Sequence, residues 1–332
     1  MSVARISLMC RFSISSSKTA TSQPSRAFTR LYSSEVLAVA RTHAPSSEFI
    51  TQPYRASPGL PVNSNWSTLE DQPLTYRSVK NLLENTIPTI RQRNFLSNDE
   101  CKKLVEIIKD HGVGFYNKKV VFPPLGSVGI SQFDHDKETY LSGVERASSL
   151  QKRFIEEGNV DVVGRVASAL QEATGIEARV AREDGRPYFA GMLRVVSNYI
   201  QIHSDYGPFD GSDWEIGAIT GQLSWNILLR QVHGGDTIIY DRQWNGAADN
   251  AAFRKAFPSY AFQPLTVQGR IPKTLPAIEG DLTFFNSRNF HEVKPCDMRH
   301  DHPEDDIRYT MSSFVGLLPG SKGKAPCLVL WS

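Results

Sequence analysis

Histidine is the side chain to start from, because the neutral imidazole is a common ligand for catalytic metals and this chain has eight. They are His43, His111, His135, His203, His233, His291, His300 and His302. Two are followed two positions later by an acid: His203-Ser204-Asp205 and His302-Pro303-Glu304. About one such pair arises by chance when roughly one residue in ten is acidic, so context has to separate them. His203 and Asp205 close the apolar run Tyr199-Ile200-Gln201-Ile202, and on a strand the side chains at i and i+2 project to one face. A histidine and a carboxylate placed side by side give one cation two ligands. His302 lies instead between Arg299 and Asp306 in a charged, proline-containing run that reads as a solvated loop.

A metal held by two such ligands needs a second imidazole from elsewhere in the fold. Residues Gly280 to Pro295 offer one: the strand Leu282 to Phe285, a short turn, and His291 opening the next strand. Arg308 then begins the strand Arg308-Tyr309-Thr310-Met311-Ser312-Ser313-Phe314, whose alternating polar positions can face an anion in a cavity. The ordinary alternatives are a hydrogen-bonded strand-end pair, a satisfied core histidine and a surface salt bridge. It is the ordered coincidence of all three segments that argues against them.

In this order, His203-x-Asp205, Gly280-Asp281-Leu282 before His291-Glu292-Val293-x-Pro295, and Arg308-x-Thr310 resemble the Fe(II)- and 2-oxoglutarate-dependent dioxygenases. Thr89 to Ile108 resembles the opening segment of their prolyl-hydroxylase-like branch, and the likeness runs from about Ile87 to Leu318. The resemblance implies an α+β fold, a double-stranded β-helix (a jelly-roll or cupin-like barrel) with N-terminal supporting helices. It assigns His203, Asp205 and His291 to Fe(II), leaving positions for the cosubstrates 2-oxoglutarate and O2. It assigns Arg308 to the distal carboxylate of 2-oxoglutarate, with the hydroxyls of Thr310 and Tyr199 beside it. The stretch from Asp297 to Ile307 makes the gap from His291 to Arg308 long for the family, and Arg299 is the competing cation. Arg308 is preferred because it starts a strand. Halide-transferring members of the superfamily have a small residue where Asp205 stands, so the carboxylate points to hydroxylation, desaturation or oxidative cyclisation.

The elements that must position these residues are legible in part. Ser97 and Glu100 form a capping box, after which Cys101, Leu104, Val105 and Ile108 recur at helical spacing until Gly112. Further helices are expected over Gly143 to Glu157 and Asp161 to Thr174. Short strands are expected at Met192 to Val196, Tyr199 to His203, Leu223 to Leu229, Thr237 to Tyr240, Leu282 to Phe285 and Arg308 to Leu317. Helices first and strands afterwards give the α+β arrangement. Arg194, Trp225, Asn226 and Phe314 are candidate substrate contacts, as are Asp241 and Trp244. His233-Gly234-Gly235-Asp236 reads as a turn.

Composition bounds the rest. The chain has 332 residues, with 37 Lys and Arg against 35 Asp and Glu. Residues 1–32 contain five of those cations and no acid, so the remainder has a net charge of −3 and gives no electrostatic reason to expect nucleic-acid binding. Residues 1–32 have the Ser-, Thr- and Arg-rich texture of a transit peptide, pointing to the mitochondrial matrix or otherwise the cytoplasm. Residues 33–86, broken by Pro45, Pro53, Pro58, Pro61 and Pro73, read as a linker or surface arm, and residues 87–332 as the oxygenase domain. No apolar stretch approaches the roughly 20 residues of a spanning helix, so no membrane partner is expected. Cys101, Cys296 and Cys327 are expected to be free thiols. The leading functional expectation is oxidation of a C–H bond in a small molecule, an amino acid or a metabolite derived from one. A protein or prolyl hydroxylase is the runner-up, and a non-enzymatic metal-binding barrel the third reading.

Overall fold

A computed structural model of the chain describes residues 64–332, apart from 117, 119–120, 122, 256–259, 298–302 and 322. The expected transit peptide, residues 33–63 of the expected arm, and Arg299, His300 and His302 lie outside the described residues.

The first elements are α1 (Tyr76–Leu83), β1 (Thr89–Gln92) and α2 (Asn98–His111). In α2 the capping box is formed as expected: Ser97 Oγ accepts from the Glu100 amide at 3.2 Å, and Glu100 Oε2 accepts from the Ser97 amide at 2.8 Å. After β2 (Gly114–Phe115) and β3 (Gly126–Val128) come α3 (Lys137–Ala147), α4 (Ser149–Gly158) and α5 (Val162–Thr174). The single helix expected over Gly143 to Glu157 is therefore two. Ser148 separates them, and its hydroxyl bonds back to the Val144 carbonyl at 2.8 Å, offering the backbone a competitor to the helical ladder. Short strands β4 (Glu177–Val180), β5 (Arg182–Glu183) and β6 (Arg186–Pro187) follow.

The strand-rich half is built from β7 (Met192–Val195), β8 (Ile200–His203), the four-residue helix α6 (Gly207–Asp210), β9 (Gln222–Leu228), β10 (Thr237–Gln243) and α7 (Ala247–Phe253). It is completed by β11 (Pro272–Leu275), β12 (Leu282–Phe285), β13 (Asn289–Val293), β14 (Tyr309–Leu318) and β15 (Cys327–Trp331). One sheet runs in the order β1-β12-β9-β14-β7-β3-β2, with β15 also on β14 and β4 on β15; a smaller one runs β11-β10-β13-β8. These two sheets form the double-stranded β-helix. Strand alternation divides the larger sheet's side chains between two environments. Trp225, Ile227, Phe284 and Met311 pack with Leu82, Leu104, Ile108, Phe154 and Val166 in the main core, so the helices back its outer face. Its inner face looks toward the smaller sheet across a cavity.

The expected boundary at residue 86 needs correction, because residues 64–86 are part of the folded body and not a surface arm. Leu82 is fully buried, and Trp66 and Val79 are nearly so. Asp71 accepts from Thr89 and Arg91 and pairs with Lys273. Burial alone would raise the Asp71 pKa, but hydrogen bonds from Lys273, Thr89 and Arg91 hold it below the usual carboxylate value. Arg91 in turn reaches Asp281 at 2.9 Å, so the aspartate of Gly280-Asp281-Leu282 has a structural role. Pro73 lies outside this region's helix, ahead of the Thr75–Ser78 capping box, so it does not interrupt it, and its carbonyl accepts from the Ser78 hydroxyl. Cys101, Cys296 and Cys327 are buried free thiols, as expected. Among the described residues no helix is long and apolar enough to cross a membrane.

Candidate active site

The smaller sheet brings the two histidines together by direct pairing: His291 in β13 stands opposite His203 in β8. Their ring centroids are 4.1 Å apart. Asp205, just beyond β8, has its amide on the Ser287 carbonyl at 3.0 Å, which turns the chain so that its carboxylate meets both rings. Asp205 Oδ2 is 3.8 Å from His203 Nε2 and 3.6 Å from His291 Nε2. One ligand atom from each of the three falls within 4.8 Å of the others, a spacing that can enclose one cation.

Local bonds prepare these atoms for a metal. His203 Nδ1 lies 2.8 Å from the Gln201 carbonyl, and His291 Nδ1 lies 2.8 Å from the Asn289 carbonyl. A carbonyl can only accept, so each Nδ1 has the proton and each Nε2 presents a lone pair to the site. Burial, then the neighbouring His291, pushes the His203 pKa down to about 4, which keeps it neutral. Burial works against ionising Asp205, but the His291 and His203 imidazoles and the Arg194 guanidinium outweigh it and lower its pKa. Two neutral nitrogens and one anionic oxygen on adjoining segments form the 2-His-1-carboxylate set suited to Fe(II).

Thr310 in β14 and Arg308, the residue just before that strand, line the same cavity of about 360 Å³. Arg308 is 6% exposed, its Nε and the Thr310 Oγ1 are buried without a hydrogen-bond partner, and burial lowers the arginine's pKa. Donors left unpaired beside a cavity call for an acceptor, and a carboxylate matches the guanidinium fork. The expected Gly-Gly turn makes room for it. Gly235 has φ +74°, and a Cβ there would lie 2.9 Å from Arg308 Cδ and 3.1 Å from Nε. The residues present therefore fit both Fe(II) and 2-oxoglutarate.

Strand geometry sorts the other expected contacts. Asn226, Arg194, Phe314 and Trp244 line the cavity. Trp225 does not, and this expectation is corrected: along β9, Gln222, Ser224 and Asn226 face the cavity, whereas Leu223, Trp225 and Ile227 enter the core, Trp225 with zero exposure. Tyr199 is also corrected. The β13–β8 register shifts between His291 and Val293, which stand opposite His203 and Ile200. The extra residue in β8 reverses the alternation, so Ile200 lines the cavity and Tyr199 does not. Asp241 instead takes the Ser64 hydroxyl at 2.7 Å and the Asn65 amide at 2.6 Å.

Sequence reasoning missed Ser224 and Gln222, which follow from Asn226 by counting in twos. It also missed Tyr116, Tyr206, Phe209, Arg254 and Tyr260, which come from loops, a short helix and the end of α7. No periodic pattern marks them.

The donor set and the sheet pair are those of the Fe(II)- and 2-oxoglutarate-dependent oxygenases, and the chain is an enzyme of that class. A family model described as carrier-protein-independent halogenase WelO5 matches residues 64–317, so the chain belongs to that family. It is 46% identical over 237 residues to "Leucinostatins biosynthesis cluster protein S" of Purpureocillium lilacinum, covering 70% of this chain and 94% of the relative. It is 24% identical over 283 residues to an L-gamma-glutamyl-L-propargylglycine hydroxylase of Streptantibioticus cattleyicolor, covering 81% and 97%. Among solved structures, an N-substituted L-amino acid dioxygenase of Burkholderia ambifaria in complex with alpha-KG superposes with a TM-score of 0.48 at 14% identity, over 77% of this chain and 90% of that one.

Proposed function

We propose that this enzyme oxidises a C–H bond of an amino acid or an amino-acid-derived small molecule, and that hydroxylation, desaturation or oxidative cyclisation is the outcome in place of halide transfer. The observation that carries this reading is Asp205, whose carboxylate lies within 3.8 Å of both histidine Nε2 atoms. An anionic ligand there occupies the position that an incoming halide needs, so the family's halogenase description does not transfer to the reaction. The 46% relative belongs to a leucinostatin biosynthesis cluster, and the 24% relative is a hydroxylase of an amino-acid derivative. Both support a small substrate, and the cavity volume is in the range of small-molecule sites.

Iron bound here would, with 2-oxoglutarate and O2, supply the oxidising power, with 2-oxoglutarate converted to succinate and CO2. In this reading His203, Asp205 and His291 would hold the metal. Arg308 and Thr310 would hold the far carboxylate of 2-oxoglutarate. Tyr206, Phe209 and Trp244 stand along the cavity, with the Phe209 and Trp244 rings 4.7 Å apart, and limit water.

Anaerobic addition of 2-oxoglutarate to the Fe(II)-loaded protein should give the weak visible charge-transfer band of a bidentate chelate, lost in His203→Ala. With O2 and an amino-acid panel in chloride buffer, succinate should form together with an oxygenated, dehydrogenated or cyclised product. A chlorinated product would overturn the reading of Asp205. Import into mitochondria rests on the composition of residues 1–32; a fluorescent protein fused behind them should co-localise with a matrix marker.

A further inference from the structure

Two arginines besides Arg308 line the cavity, Arg254, which is exposed, and Arg194, which is partly buried. Arg194 sits in β7 directly opposite Thr310 of β14 and lines the cavity. It donates to the Ser312 hydroxyl, and its guanidinium carbon lies 5.8 Å from the centre of the Tyr116 ring. Among the described residues no carboxylate pairs with it within 4 Å. The acid that feels its charge, Asp205, is already shared between His203 and His291.

Two phenols stand near this cation. The Tyr116 and Tyr260 hydroxyls are buried and have no hydrogen-bond partner, and both residues line the cavity. Tyr116 is only 9% exposed. The Tyr260 ring meets His203 edge-on at 5.4 Å, and its hydroxyl feels the charges of Asp205, Arg194 and Tyr116, which places all of them in one neighbourhood. Two phenol hydroxyls without a partner and a guanidinium without a carboxylate partner thus converge. Buried donors are nearly always paired in working proteins, so their partner is a ligand, and a carboxylate has lone pairs enough for all three. Arg308 and Thr310 already answer the far carboxylate of 2-oxoglutarate. The wall around Arg194 comes instead from segments outside the two sheets: Tyr116 follows β2, and Tyr260 lies between α7 and β11. Tyr116 also stacks at 6.5 Å on Phe133, which is 48% exposed at the rim.

Building on the oxygenase reading, we propose that Arg194, Tyr116 and Tyr260 form a carboxylate-binding subsite for the molecule being oxidised. The substrate class is then a compound with a free carboxylate: an α-amino acid, or an N-acylated or peptidic derivative that keeps its C-terminal acid. The subsite anchors that group beside His203 and sets which C–H bond faces the metal.

The test uses the full chain loaded anaerobically with Fe(II) and 2-oxoglutarate. The probes are the proteinogenic L-amino acids, their N-acetyl forms and the matching carboxamides, with binding read by calorimetry and by perturbation of the visible band. Acids should bind at least about tenfold more tightly than their amides, because the charge-assisted bonds are lost. Arg194→Met should weaken the acids by about 30-fold or more while the Kd for 2-oxoglutarate stays within about twofold. Tyr116→Phe and Tyr260→Phe remove one hydroxyl without opening a cavity, and each should weaken binding by about threefold, keeping the proposal testable if the arginine variant folds poorly. The proposal falls if no free acid binds, if amides bind as well as acids, or if Arg194→Met loosens 2-oxoglutarate as Arg308→Met does. Absence of the 2-oxoglutarate band in the wild type would instead defeat the oxygenase reading beneath it.

Discussion

The two ends of the cavity are built on different plans. At the metal end, paired strands supply the histidines, and the main chain braces each ligand: Gln201 and Asn289 carbonyls hold the imidazoles, and the Ser287 carbonyl holds the Asp205 amide. At the outer wall, Tyr116, Phe133, Phe209 and Tyr260 come from loops and short helices, and the two tyrosine hydroxyls have no hydrogen-bond partner. Backbone bracing leaves little freedom for ligand geometry, whereas loop side chains change without disturbing a sheet. The common chemistry is thereby placed on rigid strands and the selection of substrate on replaceable segments.

The largest expected effect lies at the metal end. His291→Ala should abolish stoichiometric Fe(II) binding and all turnover, measured by equilibrium dialysis and succinate release, while circular dichroism shows the fold retained. Next comes Arg308→Met, for which removing one side of a buried charge pair costs about 2–3 kcal/mol, on the order of 100-fold in Kd for 2-oxoglutarate. A change below threefold would break the comparison by showing that the cosubstrate is held elsewhere. Gly235→Ala should follow at about tenfold, because the added methyl meets Arg308 and a residue at φ +74° is strained by about 1–3 kcal/mol. Fe(II) affinity should stay unchanged, and equal losses in both would make the turn a general support and not a seat for the arginine.

The smallest effect is on the metal-free enzyme's response to acid. The folded His203 pKa is about 4 against 6.5 for an ordinary histidine, so the unfolded chain binds the proton first. Stability on this account is full above about pH 6.5 and falls as pH drops through that window toward about 4. Thermal melts across pH 4–8 should show a shallower decline in His203→Ala, and an identical slope would mean that the imidazole is not buried neutral.

The metal end was legible in the sequence because strand spacing and segment order are written in residue types: His203, Asp205, His291 and Arg308 all occupy the expected cavity. The outer wall was not, since Tyr116 and Tyr260 reach the site through tertiary folding that no local period encodes. Trp225 and Tyr199 show the limit of parity. Trp225 is excluded by counting in twos from Asn226, but Tyr199 is excluded only by a one-residue bulge, and bulges leave no reliable trace in a single sequence. The N-terminal boundary was missed because Pro73 reads as a breaker, although the capped helix begins only after it, at Tyr76.

One contact chain gives that boundary a practical meaning. Trp66 Nε1 donates to the Asn85 side-chain oxygen at 3.1 Å, the same oxygen accepts from Asn289 Nδ2 at 2.7 Å, and the Asn289 carbonyl is the one that fixes His291. A protein produced from Ile87 onward would include every catalytic residue and still lack the far anchor of its metal strand. Such a truncated preparation would show loose or substoichiometric iron, a fault readily mistaken for a wrong metal or a poor reconstitution.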